Sequence, residues 1–241
     1  MSDRNQLALF TDPEIEFVKR KRQKTIRIRV DHDRITVSGP LTCREKSLRG
    51  FLDDHWDWVR QTLEKQQVRS RKLEQQREVY KGHVLLKGEW LPLQPCRTGG
   101  KKEGWNFNLT ENAVRFTPPA GCRSLPEADA LNAYLKWMAK PEILARFEQV
   151  APNLPFHYNR VFIRSQKTKW GTCSGKGNLS FNWRLIKCPC WIWDYLFVHE
   201  LCHTIHFNHS KAYWKLVDEY YPRRNEAEAW IRENGNVVFH T

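Results

Sequence analysis

Hydrophobic and polar residues alternate in two short stretches near the start of the chain. Isoleucine and valine occupy every second position within Thr25–Val30, between basic or polar residues, which is typical of a strand with one solvated face. We therefore expect strands near Thr25–Val30 and Arg34–Ser38, with the turn between them at residues 31–33. Residues 1–15 show no such pattern and are expected to form a loose lead-in.

Apolar residues recur at helical spacing in two longer stretches. The spacing predicts one helix from Ser47 to about Arg77 and another from about Glu127 to Val150. Between them, Val79–Phe116 contains short apolar runs broken by glycines and prolines, which favours small antiparallel strands. This mixture of separate helices and short strands predicts an α+β fold.

A third region predicts a β-hairpin. Trp170–Ser174 is followed by a glycine-rich break and then by Asn178–Leu185, in which apolar and polar residues alternate. The exposed edge of such a strand can hold an extended peptide through main-chain hydrogen bonds. Trp170 and Asn182 are the candidates for substrate contacts, and the alternative is a hairpin that serves packing alone.

The length of 241 residues allows one large domain or two small ones. We expect three regions: the lead-in at 1–15, a basic β-rich region with a helical arm at 16–120, and a C-terminal core at 121–241. The third region contains the residues with the clearest chemical signal.

Basic residues are in large excess. The formal net charge is +13, and a charge of this size attracts polyanions. DNA is therefore a candidate partner of the basic N-terminal region, and a solvated face that only aids solubility is the alternative. The cluster near the N-terminus consists of Lys19, Arg20, Lys21, Arg22, Lys24, Arg27 and Arg29.

The sequence gives no sign of a membrane protein. No apolar run approaches the roughly 20 residues that span a bilayer. The start of the chain, Met1-Ser2-Asp3-Arg4, lacks an apolar signal segment, and the seven cysteines show no disulfide spacing. We expect a cytoplasmic protein with reduced thiols. Cys188 and Cys190 are the candidates for a second metal site, but no other cysteine or histidine pair supports them.

The strongest motif is the segment His199–His203, with the sequence HELCH. On a helix, the two histidines project from one face about one turn apart, so that both imidazoles can bind one Zn²⁺. Glu200 lies beside the first ligand, within reach of a water molecule at the metal. Three protein ligands leave a fourth position open, which distinguishes a catalytic zinc from a structural one.

The third ligand is predicted to be His209, six residues after His203. His206 is the alternative, and it occupies the position at which the extended HExxHxxGxxH pattern has glycine. Asn208 is expected to replace that glycine, because asparagine tolerates the left-handed backbone conformation. The alternative to a metal site is an amphipathic helix with surface histidines. The apolar residues that precede the motif argue against it, because they indicate a buried helix.

Several segments together resemble one known family. The segments 164–184, Val198–His203 and Asn208–Trp214 are similar to the YgjP-like metallopeptidases, whose pattern combines a WGSCS-like hairpin, an NWRL-like strand, HELxH and NHSxxFW. Two positions depart mildly from this pattern, Thr172 in place of serine and Tyr213 in place of phenylalanine. The resemblance implies a zincin-like core, with a small sheet and an active-site helix.

The resemblance also implies the site. His199, His203 and His209 would bind one Zn²⁺ per chain, and Glu200 would be the catalytic carboxylate. Proteins related to the family, the SprT-like proteases, act on proteins crosslinked to DNA. The remaining matches to the family pattern have no assigned role, and four of them are our candidates for substrate binding: Trp170, Asn182, Arg184 and Trp214.

These observations predict a zinc-dependent hydrolase that cleaves peptide bonds in a protein or peptide substrate, with Glu200 as general base for a zinc-activated water. Tyr195, Tyr213 and Arg184 are the candidates for stabilising the oxyanion. The alternative function is that of a nucleic-acid-binding protein with a structural or degenerate zinc site. The intact Glu200 argues against it, because a structural site needs no carboxylate there.

Overall fold

The computed structural model describes residues 13–31, 34–96, 104–119, 121–122 and 124–240. Helices and small sheets occur in both halves, so the predicted α+β class is confirmed. The chain divides into two compact units, which meet in sequence between Gln76 and Arg77. The domain boundary expected near residue 120 stays a prediction.

The first unit is a three-stranded sheet with helices packed on it. Its central strand pairs in parallel with the first strand and antiparallel with the second. The core is made by apolar residues of the sheet and the helices, including Ile35, Val37, Leu48 and Val59, each fully buried. The elements are β1 (Glu14–Arg20), β2 (Arg27–Val30), β3 (Arg34–Pro40), α1 (Glu45–Asp54) and α2 (Trp56–Val79), of which the last continues into the second unit.

The predicted strands β2 and β3 are confirmed, and the expectation of one helix from Ser47 is corrected. Strand β1 begins at Glu14, inside the expected lead-in, whereas residues 1–12 and part of the turn at 31–33 lie outside the described residues. The single helix expected from Ser47 is two helices that break at His55. Its ring Nδ1–H donates to the carbonyl of Phe51 (2.9 Å) and closes α1.

The second unit begins with a four-stranded sheet in the order β4-β5-β7-β6. Strands β5 and β7 pair in parallel, so the expectation of antiparallel pairing throughout this region is wrong for that pair. In the hairpin of β6 and β7, the second strand, β7, is the one that pairs with β5. The turn residues of a hairpin do not indicate which of its two strands pairs with the rest of the sheet. The strands are β4 (His83–Leu86), β5 (Glu89–Pro95), β6 (Asn106–Leu109) and β7 (Val114–Thr117).

The turn between β4 and β5 fastens the sheet to the motif-bearing half. Lys87 and Gly88 both have positive φ, and their N–H groups donate to the carbonyls of Ile186 (2.8 Å) and Lys187 (2.9 Å). A Cβ on Gly88 would lie only 2.6 Å from Cγ of Pro189, so the turn needs glycine for this close approach. Pro189 in turn precedes the helix that contains the HELCH motif.

The remaining elements form the frame of the site. The predicted helix at 127–150 is confirmed as α3 (Ala128–Val150), and the predicted hairpin is confirmed within the third sheet, in the order β8-β10-β9. The second strand of the hairpin ends at Asn182 rather than at Leu185, and the chain continues as a 3₁₀ turn (Trp183–Lys187). The strands are β8 (Val161–Arg164), β9 (Gly171–Cys173) and β10 (Leu179–Asn182).

Three helices complete the second unit: α4 (Cys190–Cys202), α5 (Lys211–Tyr220) and α6 (Arg224–His240). Helix α4 is apolar around most of its circumference, and nine of its 13 residues are buried, as expected for a helix inside a core. Phe197 on α4 packs on Phe147 and Phe181, with ring centroids 5.2 and 4.9 Å away. In the described ranges, no helix has the length and apolar character needed to cross a membrane.

Candidate metal centre

Helix α4 places the first two histidines of the motif close together. His199 lies in its last turn, and His203 follows directly after its end, still with α-helical backbone angles. The two ring centroids are therefore only 5.2 Å apart. The Nδ1–H of His203 donates to the carbonyl oxygen of His206 (2.9 Å), which leaves Nε2 of His203 free to bind a ligand.

His209 joins the other two histidines from the loop that immediately precedes α5. Within the part of the chain that the structure describes, the ring nitrogens of His199, His203 and His209 form a group that could hold a metal ion, with all three ligand atoms within 4.8 Å of one another. His206, the alternative third ligand, is outside this group and takes part through its main-chain carbonyl.

Asn208 and Ser210 fix the backbone on either side of His209. The Oδ1 of Asn208 accepts a hydrogen bond from the N–H of Ser210 (3.3 Å), and Oγ of Ser210 caps α5 by accepting from the N–H of Tyr213 (3.3 Å). Asn208 does not adopt the expected left-handed conformation, because Lys87 is the only described residue other than glycine with positive φ. The expectation is therefore wrong: the side chain of Asn208 shapes this loop, not its backbone.

The three histidines fit a divalent metal ion. Nε2 of His199 and Nε2 of His209 are 3.5 Å apart. That distance is close to the roughly 3.3 Å that separates two nitrogen ligands of a tetrahedral ion with bonds of about 2.0–2.1 Å. Burial and the neighbouring His203 and His209 lower the pKa of His199 to about 3. This imidazole is therefore neutral at physiological pH, which is the form that binds metals.

Behind His199, a chain of polar groups sets the orientation of its ring. The hydroxyl of Tyr195 donates to Oε1 of Glu228 (3.2 Å), so that its oxygen can accept from Nδ1–H of His199 (3.5 Å). Arg224 contacts both carboxylate oxygens of Glu228 (3.3 Å each) and pairs with Asp218 (2.6 Å). A carboxylate that acts on a histidine in this way fixes the tautomer and makes the other nitrogen a better ligand.

Two aromatic residues of α5 pack directly on the imidazoles. Tyr213 is fully buried, its ring stacks on His203 with centroids 4.4 Å apart, and its hydroxyl donates to the carbonyl of His199 (3.0 Å). Trp214 stacks on His209 (5.3 Å), and the guanidinium of Arg224 lies 4.9 Å from the centroid of the Trp214 ring. Trp214, a predicted substrate residue, therefore supports His209.

Glu200 lies beside the histidines and against strand β9. Its side chain is only 5% exposed, and a Cβ on Gly171 would fall 2.5 Å from Oε1 of Glu200, so only glycine allows this approach without moving the carboxylate. Burial raises the pKa of Glu200 to about 8, although the positive charge of Lys169 acts in the opposite direction. The carboxyl group is thus a stronger base than an exposed glutamate.

Glu200 and His199 line one open cleft of about 340 Å³ between the β9 edge and the helices α4 and α6. Trp170 lines it as well, and its ring packs edge-on against Phe239, with centroids 4.7 Å apart. Of the candidates for oxyanion stabilisation, Tyr195 is in the cleft, but its hydroxyl donates to Glu228. The hydroxyl of Tyr213 is engaged with a main-chain carbonyl.

Two predicted substrate residues, Asn182 and Arg184, do not line the cleft. Asn182 has no exposed surface, and its Nδ2 donates to the carbonyls of Gln166 (2.8 Å) and Lys169 (2.9 Å), so it holds the loop that leads into β9. The guanidinium of Arg184 lies over the ring of Trp183, 4.7 Å from its centroid. Any effect of Asn182 on a substrate would be transmitted through this loop.

Sequence reasoning missed the contribution of α6 to the cleft. Glu228, Ile231 and Arg232 of this helix line the cleft, yet they belong to an ordinary charged helix without a motif. The four-residue spacing of Arg224 and Glu228 was a visible signal, but such pairs are common on solvent-exposed helices.

Comparison with known proteins places the chain in one family. No curated protein and no solved structure shows significant similarity to the chain. A family described as YgjP-like, metallopeptidase domain, matches residues 24–234, which is most of the chain and includes all three histidines and Glu200. The chain therefore belongs to the YgjP-like metallopeptidase family.

Proposed function

We propose that the protein is a zinc-dependent metallopeptidase in which His199, His203 and His209 hold one Zn²⁺ and Glu200 is the general base. The observation that carries the proposal is the convergence of three ring nitrogens within 4.8 Å, next to a buried carboxylate in an open cleft. The donor set supports zinc, because imidazole is among its preferred ligands. The cytoplasmic location expected from the sequence stays a prediction.

The metal ion supplies one part of the chemistry: when bound, it lowers the pKa of water to roughly 7 and polarises the scissile carbonyl. The protein supplies the rest. Glu200 accepts the proton of the attacking water and delivers it to the leaving amine. The absence of a side chain at Gly171 leaves room for the carboxylate of Glu200 beside strand β9.

Strand β9 is the proposed binding edge for the peptide. It lies at the edge of the third sheet and pairs with β10 on one side, and its first residue, Gly171, lines the cleft. An extended substrate placed along the free edge would pass Glu200 and would form main-chain hydrogen bonds that do not depend on its sequence. Trp170 would contact its side chains from the wall of the cleft.

Removal and return of the metal tests the proposal. We expect hydrolysis of fluorescently labelled casein by the purified protein, loss of this activity after treatment with a chelator and dialysis, and its return when one equivalent of Zn²⁺ is added. Circular dichroism before and after treatment controls for unfolding. Hydrolysis that continues at the same rate in a protein shown to be metal-free would exclude a metallopeptidase.

The polar chain behind His199 makes a separate prediction. Tyr195→Phe removes the hydroxyl that links His199 to Glu228, and we expect a 10- to 100-fold loss of zinc affinity, the usual effect of changing a group that supports a ligand. Competition titration with a chromophoric chelator measures this. The matched control is Tyr221→Phe, which removes a hydroxyl bonded to the carbonyl of Trp191 (2.7 Å). Equal zinc affinities of the two variants would refute the role of Tyr195.

DNA is a second proposed partner, through the first unit. The seven basic residues from Lys19 to Arg29 are all exposed, and among these seven only Arg29 forms an ion pair within the described residues, with Asp31 (3.0 Å). Such a surface binds phosphates with strong salt dependence. A gel-shift titration against salt tests it, and absence of binding at low salt would remove the proposal. The alternative of a purely nucleic-acid-binding protein with a structural zinc is disfavoured by the open cleft at Glu200.

A further inference from the structure

Two positively charged side chains line the cleft without forming an ion pair with an acidic residue. Lys169 belongs to the loop that leads into β9, Arg232 belongs to α6, and both are exposed. Across the residues that the structure describes, neither side chain forms an ion pair, whereas Arg146, Arg223 and Arg224 each do. The cleft therefore has positive charge on two of its walls.

The carboxylates nearby are already engaged. Glu228 lies one helical turn before Arg232, but its oxygens accept from Tyr195 and from Arg224, which balances its charge from behind the cleft. The other carboxylate in the cleft, Glu200, is 5% exposed and lies near enough to Lys169 to be affected by its charge, but the two side chains form no ion pair. The charges of Lys169 and Arg232 are therefore available to a bound molecule.

The wall beside these charges is apolar and well supported. Leu196 and Ile231 line the cleft together with Trp170, whose ring is held against Phe239. A Cβ on Gly235 would come within 3.2 Å of Cζ2 of Trp170, so the helix passes close behind the ring. The cleft therefore combines exposed positive charge with an apolar wall.

We propose that Lys169 and Arg232 form a carboxylate-binding subsite of the cleft, so that the preferred substrate has a carboxylate next to the scissile bond. The inference rests on the proposed peptidase function, because a peptide main chain is uncharged and the complementary charge must come from an acidic side chain or from a free C-terminus. Guanidinium and ammonium groups both bind carboxylates through charge-assisted hydrogen bonds. The subsite thus names a substrate class, acidic peptides or peptide C-termini.

Peptide binding tests the subsite apart from catalysis. The Glu200→Gln protein, loaded with zinc, is titrated against dye-labelled peptides that contain either Glu or Gln at one position and end in either a carboxylate or an amide. Anisotropy should show about tenfold tighter binding for the peptide with the matching carboxylate. A preference for Glu over Gln identifies the side-chain source, and a preference for the free acid over the amide identifies the C-terminus.

Substitutions then locate the preference. Lys169→Gln and Arg232→Gln should each reduce the tenfold preference to about threefold or less. Lys167→Gln should leave it unchanged, since Lys167 is an exposed cation of the same loop that does not line the cleft. An equal loss in all three variants would show a general attraction to a basic protein and would overturn the subsite, as would equal binding of all peptides or no binding at millimolar concentration.

The two proposals fail separately. If the zinc-loaded protein binds carboxylate peptides selectively but cleaves none of them, the peptidase proposal fails and the subsite stands. If it cleaves acidic and neutral peptides with equal kcat/KM and binds them equally, the subsite fails and the peptidase stands.

Discussion

The Glu200→Gln protein is expected to keep its zinc and to lose peptide hydrolysis by about 10³-fold, within the range usual for a general base. The amide has nearly the shape of the carboxylate, so the close contact with Gly171 is kept. Glu200 is only 5% exposed, and the substitution replaces a buried ionisable group with a neutral one, so that no unpaired charge is left in the core. Hydrolysis of labelled casein and zinc content of the same preparations measure the two expectations.

The matched control for this substitution is Glu233→Gln, an exposed glutamate on α6 that does not line the cleft. It should hydrolyse casein at the rate of the unsubstituted protein. Undiminished hydrolysis by Glu200→Gln would remove the assigned role. Loss of zinc together with activity would show instead that Glu200 acts on the metal or on the fold.

His203→Ala is expected to lower zinc affinity by more than about 100-fold, because it removes a ligand, and the loss of a group that merely supports a ligand already costs 10- to 100-fold. His206→Ala is its control, since the structure uses only the main-chain carbonyl of His206, which alanine retains. Competition titration of zinc in both variants measures the difference. A metal site that is formed by the fold would stabilise the folded chain, so the unfolding temperature with and without zinc gives a second measure.

The opposite ranking of these two variants would contradict the account, since it would make His206 a ligand and His203 a supporting residue. Similar losses in both variants would indicate that the loop between them, rather than one ligand, determines affinity. The structure predicts neither result. The hydrogen bond from Nδ1–H of His203 to the carbonyl of His206 leaves Nε2 of His203 free for the metal, and His206→Ala retains this carbonyl.

Much of this centre was predictable from sequence, because its chemistry is local. The four-residue spacing of His199 and His203 is set by the helical repeat, and the apolar run before them indicated a buried helix. The hairpin beside it was visible from the alternation of residues in β10. The choice of His209 over His206 was a prediction from spacing and resemblance, and the structure brings the nitrogens of His209 to the other two.

What sequence could not provide depends on distant parts of the chain. The approach of Gly171 to Glu200 joins residues almost 30 positions apart, and Glu228 reaches Tyr195 from a helix that looks like any charged surface helix. The left-handed backbone conformation expected at Asn208 is absent, because the loop is shaped instead by a hydrogen bond from the N–H of Ser210 to the side chain of Asn208. The parallel pairing of β5 and β7 could not be predicted, because the turn residues that indicate a hairpin do not determine the order of strands in the sheet.

X-ray absorption at the zinc edge of the purified protein tests the central claim most directly. The account predicts about one zinc per chain, with imidazole nitrogens at about 2.0–2.1 Å and no sulfur ligand. The spectrum should lose its imidazole contribution, or the metal altogether, in His203→Ala. A sulfur shell at about 2.3 Å would place the metal at cysteines such as Cys188 and Cys190 and would contradict the three-histidine centre.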